Sequence, residues 1–233
     1  MKIYFLNVCG LKSKLKFDEF FDIIENYDIK ILVETKLDDL DVLNIPNNYC
    51  YMTKNRKKMS KKSGGIAIIY KKKLHDCLEF IDSESQYVQW VKITRNIFEF
   101  DNDVLLGCVY IPPEGSKYSN SEAFDEIESD LVSLVKKTDM HPFLIGDFNA
   151  KTSNLNDFII PDDTLLEFFQ LDDDVDILSY MLDYENLKTY NVPLQRVTQC
   201  SCQPNSYGYK LLNCCKKLNL YIANSRIGLD KNL

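Results

Sequence analysis

The segment "LIGDFNA" (Leu144–Ala150) places an acid and an amide directly after an apolar run. Leu144 and Ile145 are typical of a short buried strand, and Asp147 and Asn149 follow it two residues apart. Residues at that spacing on an extended chain point to the same side. A carboxylate and an amide therefore project together from a strand end, where they can act on one ligand. A simple turn is the alternative, because both residue types favour turns.

Three more polar side chains occur at the ends of apolar, strand-like runs. Asn7 lies in "IYFLNV", Glu34 ends "IKILVE", and Tyr110 lies in "VYIPP", just before two prolines. Ligands of layered α/β folds bind where strand ends open into loops. Mg²⁺ prefers carboxylate oxygens, a carboxylate can orient or deprotonate a water, and Asn or Tyr can donate hydrogen bonds to a phosphate oxygen. Each residue alone also fits an exposed or core position, so the prediction depends on the ordered set.

A basic segment, "KNRKKMSKK" at residues 54–62, carries six positive charges and precedes "SGG". Its composition is compatible with a solvated surface loop and equally with a loop that contacts phosphates. The candidate nucleic-acid contacts are Lys54, Arg56, Lys57, Lys58, Lys61 and Lys62.

The elements that must position these residues can be predicted from hydrophobic patterns. Strands are expected at 2–9, 30–34, 65–70, 87–94, 104–111 and 142–146, and helices near 17–24, 119–135 and 207–218, with a short strand "LYIAN" after the last helix. Strands and helices alternate along only part of the chain, which favours an α/β or α+β layered domain with mixed sheets. We predict one domain over residues 1–233, with an acidic, irregular insertion at about 154–206.

The charge of the chain is unevenly distributed. The net charge is −7, but residues 155–187 hold ten acidic residues and no Lys or Arg, and the remainder has 28 basic against 25 acidic residues. A phosphate-rich partner is therefore compatible with the composition. The acidic segment is either a solvated insertion or a lid that competes with DNA for the basic segment. The N-terminus differs from a secretory signal and no apolar run approaches the roughly 18 residues of a membrane span, which predicts an intracellular protein.

Five segments in order, "LNVCGLKSK", "LVETKL", "SGGIAIIYKK", "VYIPP" and "IGDFNAKTS", resemble the endonuclease/exonuclease/phosphatase superfamily. Within it, the sequence is most similar to the apurinic-endonuclease-like domain of non-LTR (LINE-type) retrotransposons. "SGGIAIIYKK" and "LLNCCKKLNLYIANSRIG" are features of that branch. The resemblance runs from residue 2 to about 152 and resumes from about 206. It implies two packed mixed β-sheets flanked by helices, a four-layer sandwich.

The resemblance also implies an activity and a role for each residue. The activity is Mg²⁺-dependent phosphodiester hydrolysis that nicks DNA, with Mn²⁺ as a possible substitute, in the nucleus. Glu34 would bind the metal with support from Asn7, Asp147 would orient and activate the attacking water, and Asn149 and Tyr110 would contact the scissile phosphate. A reverse transcriptase would continue the full-length polypeptide.

The family pattern continues with a Ser-x-x-Asp-Tyr strand and a Ser-Asp-His motif, and the 233 residues contain neither. His75 and His141 lie in other contexts. We therefore expect a C-terminally truncated member with an exposed strand edge and impaired activity. Two alternatives stay open at this point. One is an inactive remnant or binding module, and the other is a phosphatase or RNA nuclease of the same superfamily.

Overall fold

A computed structural model of the chain describes residues 1–56, 61–169, 175–198 and 202–228. The chain divides into two compact units, Met1–Phe148 and Asn149–Leu233. All the strands in the described ranges belong to the first unit, and the second contains helices. The single domain predicted over residues 1–233 stays a prediction.

The first sheet of the first unit, sheet A, has the strand order β1-β2-β4-β3. Strand β1 is parallel to β2, and β4 is antiparallel to both of its neighbours. Every residue of β2 is buried, whereas β1 at the sheet edge is partly exposed. The strands of sheet A are β1 (Ile3–Asn7), β2 (Ile29–Val33), β3 (Tyr49–Lys54) and β4 (Ile66–Lys71).

The second sheet, sheet B, has the strand order β5-β6-β7-β8. Its last two strands are parallel, and the other neighbours are antiparallel. Strand β7 is buried along its whole length, and β8 is the partly exposed edge. The strands of sheet B are β5 (Leu78–Ile81), β6 (Val88–Ile93), β7 (Val104–Tyr110) and β8 (His141–Asp147).

The two sheets pack face to face through one apolar core. Ile31 and Ile68 of sheet A are buried in the same cluster as Val91 and Leu106 of sheet B. Burial of such side chains stabilises the fold by about 1.5–3 kcal/mol each. Since each sheet contains a parallel and an antiparallel pair, the predicted packing of two mixed sheets is confirmed.

Helices cover the outer faces of both sheets. Phe20 and Ile24 of α2 join a cluster with Leu32 and Ile69 on the outer face of sheet A. On sheet B, the Trp90 indole donates a hydrogen bond to Asp130 of α3 at 3.1 Å. The helices of the first unit are α1 (Leu11–Lys14), α2 (Asp18–Glu25) and α3 (Ala123–Thr138), with 3₁₀ turns at Lys72–Cys77 and Arg95–Ile97. The four-layer arrangement is therefore the one that the resemblance implied.

The second unit contains short helices within the segment that was predicted to be irregular. Its helices are α4 (Asp163–Phe169), α5 (Val175–Met181), α6 (Glu185–Thr189) and α7 (Ser206–Leu218). Helix α7 confirms the predicted helix near 207–218, and its N-cap is Asn205, whose side chain accepts a hydrogen bond from the Gly208 N–H.

The short strand predicted at "LYIAN" is wrong, because residues 220–224 form no strand. The backbone N–H of Ile222 instead donates to a carboxylate oxygen of Asp157 at 2.6 Å, and that of Leu220 donates to the Cys215 carbonyl at 3.0 Å. These bonds use donors that a strand partner would need. In the described ranges, no helix combines the length and the apolar character of a membrane span.

Candidate active site at the strand ends

The adjoining edge strands of the two sheets are joined by a side-chain hydrogen bond. Asn7 is the last residue of β1, and Asp147 is the last residue of β8. The Asn7 amide donates from Nδ2 to Oδ2 of Asp147 at 3.0 Å, although the two residues are 140 positions apart. Asn7 Oδ1 accepts from the Cys9 backbone N–H at 3.2 Å. The amide is therefore held at both ends, and it fixes one oxygen of the Asp147 carboxylate.

The register of sheet B brings Asp147 beside Tyr110. The two residues are partners in the parallel β7–β8 ladder, and the Ile111 N–H donates to the Asp147 carbonyl at 2.9 Å. The preceding residue must be small, because a Cβ on Gly146 would lie 2.1 Å from the Val109 carbonyl oxygen. The glycine of "IGDFNA" therefore permits the close strand approach that places Asp147.

Glu34 follows β2 in a strained backbone segment. Its φ is 57°, and Lys36 and Cys9 have φ values of 55° and 47°, in the left-handed region that is uncommon for residues other than glycine. Backbone bonds hold the segment, since the Gly10 N–H donates to the Glu34 carbonyl and the Lys36 N–H to the Gly64 carbonyl, both at 2.8 Å. Strained residues of this kind cluster at functional sites. The loops after β1 and β2 are thus linked to the "SGG" segment.

Tyr110 experiences the charges of two carboxylates and one guanidinium. Its side chain is buried at the end of β7. Burial raises the pKa of the Tyr110 hydroxyl well above its usual range, and the carboxylates of Glu34 and Asp147 raise it further. The hydroxyl therefore stays protonated at neutral pH and is available as a hydrogen-bond donor. Glu34, the predicted metal ligand, and Asp147, the predicted catalytic base, therefore both act electrostatically on Tyr110.

The Glu34 carboxylate suits a hard cation. It is one-quarter exposed, and the Lys36 ammonium lies 3.5 Å from its Oε1, so the carboxylate already faces a positive charge. Among the residues that the structure describes, no cluster of three or more His, Cys, Asp or Glu is placed to hold a metal. Mg²⁺ commonly binds proteins through one or two carboxylates, with waters and substrate phosphates completing its shell. The carboxylate oxygens of Glu34 are donors of the kind that fit a hard cation such as Mg²⁺.

Asn149 lies in the second unit, and its predicted phosphate contact stays a prediction. Its φ is 49°, and its carbonyl accepts a hydrogen bond from Asn205 Nδ2 at 3.0 Å. Asn205 Oδ1 in turn accepts from the Lys151 N–H at 2.8 Å. The chain after "GDFNA" is therefore tied to the start of α7.

The cations of the basic segment differ in what they contact. Lys54 donates to the Ser83 carbonyl at 2.9 Å, and Lys62 pairs with Asp38 at 2.8 Å and with Asp41 at 2.6 Å. Lys61 is exposed. Lys57 and Lys58 lie outside the described residues. All six nucleic-acid contacts stay predictions, and two of these lysines already bind groups of the protein.

Sequence reasoning did not single out Cys9 and Lys36, which complete the strand-end site. The Lys36 ammonium donates to the Cys9 sulfur at 3.1 Å. Both residues lie inside quoted segments, "LNVCGLKSK" and "LVETKL", but nothing in those letters indicates that the side chains meet. The histidines lie elsewhere, because His141 begins β8 at the end opposite Asp147 and His75 stacks on Tyr70.

Two packed mixed sheets carry carboxylates, an amide and a protonated tyrosine at adjoining strand ends. The chain belongs to the Endonuclease/Exonuclease/phosphatase family, whose model matches residues 5–196. Members are hydrolases that act on phosphodiester bonds and generally use divalent metal ions. Among curated protein sequences, none matches this chain.

Several solved structures are similar to the chain. The 3′ phosphatase NExo from Neisseria, bound to a product DNA hairpin, is 18% identical with a TM-score of 0.45, over 66% of this chain and 59% of that one. The Xenopus laevis APE2 catalytic domain is 16% identical with a TM-score of 0.47, over 72% and 64%. The endonuclease domain of TRAS1, a telomere-specific non-LTR retrotransposon, is 13% identical with a TM-score of 0.39, over 72% and 68%. The chain thus spans about 59% of the length of the first of these proteins.

Proposed function

We propose that this chain is a Mg²⁺-dependent phosphodiesterase that nicks DNA. The observation that carries the proposal is the hydrogen bond from Asn7 to Asp147, which joins the two sheets at 3.0 Å and aims one carboxylate. A buried, protonated tyrosine lies beside that carboxylate, and a second carboxylate acts on the same tyrosine. The group proposed to activate water, Asp147, therefore lies next to the group proposed to bind the phosphate, Tyr110.

In the proposed reaction each residue of the first unit has one task. Asp147 accepts the proton of the attacking water, and the hydrogen bond from Asn7 to its Oδ2 keeps the carboxylate in one orientation. The Tyr110 hydroxyl donates a hydrogen bond to a phosphate oxygen as negative charge develops on it. Glu34, with support from Asn7, would hold Mg²⁺ or Mn²⁺, and the bound metal would supply positive charge to the phosphate oxygens. The phosphate contact that the resemblance implies for Asn149 is part of the proposal as well.

The choice of DNA, and of the retrotransposon branch, is part of the proposal. It is supported by the ordered sequence segments, above all "SGGIAIIYKK", and by the basic segment next to them. A nuclear location and a reverse transcriptase in the same full-length polypeptide belong to this proposal as well.

A supercoiled-plasmid assay tests the activity. The purified chain should convert supercoiled plasmid to open circles with Mg²⁺ or Mn²⁺ and should stop when EDTA is added. Asp147→Asn keeps the shape of the side chain and removes the base, so it should slow nicking by about 10²–10⁴-fold. Equal nicking by wild type and Asp147→Asn would assign the activity to a contaminant and overturn the proposal.

Other substrates separate the alternatives. Faster turnover of an oligoribonucleotide or an inositol phosphate than of plasmid would identify an RNA nuclease or a phosphatase of the same family. DNA binding that is independent of metal and occurs without turnover of any substrate would identify a binding module.

A further inference from the structure

Arg56 differs from the other described cations of the basic segment in its surroundings. Its Nη2 donates to the Tyr118 backbone carbonyl at 2.8 Å, and its guanidinium lies 5.1 Å from the Tyr118 ring centroid and 5.8 Å from that of Tyr87. Its Nη1 is buried and has no hydrogen-bond partner within the described ranges. Two aromatic rings and a carbonyl therefore fix the guanidinium, and the described part of the chain supplies no carboxylate to neutralise it.

The aliphatic part of the Arg56 side chain lies on the Tyr110 side of the strand-end site. A Cβ on Gly64, whose φ is 63°, would lie 3.2 Å from the Arg56 side chain and 3.2 Å from the Tyr110 ring. The two side chains therefore flank the same glycine. The positive charge of Arg56 also opposes the rise in the pKa of Tyr110 that Glu34 and Asp147 cause.

A phosphodiester that approaches Tyr110 meets an electrostatic problem. Its own negative charge is repelled by the Glu34 and Asp147 carboxylates, which both act on Tyr110. Metal bound at Glu34 would offset the repulsion on one side only. A cation held on the tyrosine side would offset it on the other, and a preorganised charge does so without reorganisation during the reaction.

We propose that Arg56 is a phosphate-positioning residue of the strand-end site, whose fixed charge draws the phosphate of the nucleic acid onto the Tyr110 hydroxyl. This inference rests on the proposed function. It separates Arg56 from Lys54 and Lys62, whose ammonium groups bind Ser83 and two aspartates of the protein itself.

Three variants separate a positioning role from a general effect of charge or packing. Arg56→Met keeps much of the aliphatic stem and removes the charge, and Arg56→Lys keeps the charge without the planar group. Arg95→Met is the matched control, because the exposed Arg95 also donates to a backbone carbonyl, that of Asp101 at 3.0 Å. Arg95 follows β6 at the end of sheet B where β7 begins, and Tyr110 lies at the other end of β7.

The first measurement is the rate of Mg²⁺-dependent nicking as a function of DNA concentration. Arg56→Met should lower kcat/KM by about 10–100-fold, with a fall in kcat, because the fixed positive charge that offsets the developing negative charge is lost. Arg56→Lys should recover part of the loss, and Arg95→Met should stay within about twofold of wild type, as a distant surface change. Equal kcat values for wild type and Arg56→Met would overturn the inference.

A second measurement does not depend on turnover. Inorganic phosphate should raise the thermal unfolding temperature of wild type and Arg95→Met, and it should have no such effect on Arg56→Met. If wild type nicks no DNA but shows this Arg56-dependent shift, the proposed function fails while the phosphate site stands. If the shift is absent from wild type or equal in Arg56→Met, the inference about Arg56 fails whether or not DNA is nicked.

Discussion

The guanidinium groups of Arg226 and Arg56 are held in different ways. In the second unit, Arg226 is almost fully buried, and its Nη1 and Nη2 donate to the two carboxylate oxygens of Asp157 at 2.6 and 2.8 Å. Its Nε donates to the Pro193 carbonyl at 2.9 Å. In the first unit, Arg56 has one carbonyl acceptor, two aromatic neighbours and a buried nitrogen without a partner in the described residues.

The difference shows how charge is used in the two regions. The charge of Arg226 is offset by the Asp157 carboxylate that it contacts, and the pair stabilises the buried structure. A guanidinium without a carboxylate keeps its field, and the residue next to it, Tyr110, experiences that field. On this basis we assign Arg226 to folding and Arg56 to phosphate positioning.

The largest effect on stability is expected from breaking the Arg226 pair. Asp157→Ala leaves a buried guanidinium without its carboxylate, and it should lower the free energy of unfolding by about 3–5 kcal/mol. Asp157→Leu combined with Arg226→Met should recover most of the loss, because it removes both charges. Urea denaturation followed by circular dichroism measures both changes. A loss below about 1 kcal/mol for Asp157→Ala would contradict the structural role of the pair.

Another buried cation, Lys30, provides an intermediate case with a pH signature. Its side chain is fully buried, its Nζ lies 3.8 Å from the Tyr49 ring centroid without a hydrogen-bond partner in the described residues, and burial lowers its pKa to about 8. The unfolded chain binds more protons than the folded chain between pH 8 and the ordinary value of 10.5, so the free energy of unfolding should rise across that window. The rise should be about 3 kcal/mol relative to Lys30→Met.

Parallel urea denaturation of wild type and Lys30→Met at several pH values measures the Lys30 contribution, because the other titrating groups are common to both proteins. Identical pH dependence of the two proteins would show that Lys30 pairs with an acceptor in solution.

The smallest effect on stability is expected at Arg56. Arg56→Met removes one hydrogen bond and the attraction of the cation for two rings, and it should lower the free energy of unfolding by about 1 kcal/mol. The effect on nicking should be larger than this. A stability loss as large as that of Asp157→Ala would place Arg56 with Arg226 as a folding residue and remove the contrast.

The strands that carry the site could be predicted because each is a continuous apolar run. Strands β2, β4 and β7 are almost entirely buried, and their composition indicates that directly. Strands β3 and β5 were not predicted. Both lie at sheet edges, are partly exposed and include polar residues such as Thr53 and Glu79, which weaken the pattern.

The functional site was predictable only in part. The apolar runs of the sequence predicted that Asn7, Glu34, Tyr110 and Asp147 would lie at strand ends. The hydrogen bond between Asn7 and Asp147 could not be predicted, because it joins residues 140 positions apart and depends on how the two sheets pack. For Asp157 the sequence predicted the wrong surroundings. It lies in the acidic run that was predicted to be a solvated insertion or a lid, and it is fully buried because Arg226 reaches it from 69 residues away. Local composition carries no information about such a partner.

The Mg²⁺ dependence of plasmid nicking in Glu34→Gln and Asp147→Asn tests the central claim most directly. If Glu34 holds the metal and Asp147 activates the water, Glu34→Gln should need more Mg²⁺ for its half-maximal rate and should recover activity at high Mg²⁺. Asp147→Asn should keep the wild-type Mg²⁺ requirement with a maximal rate lower by about 10²–10⁴-fold. Unchanged nicking by both variants, or the same loss in both at every Mg²⁺ concentration, would contradict the separate roles of Glu34 in metal binding and Asp147 in water activation.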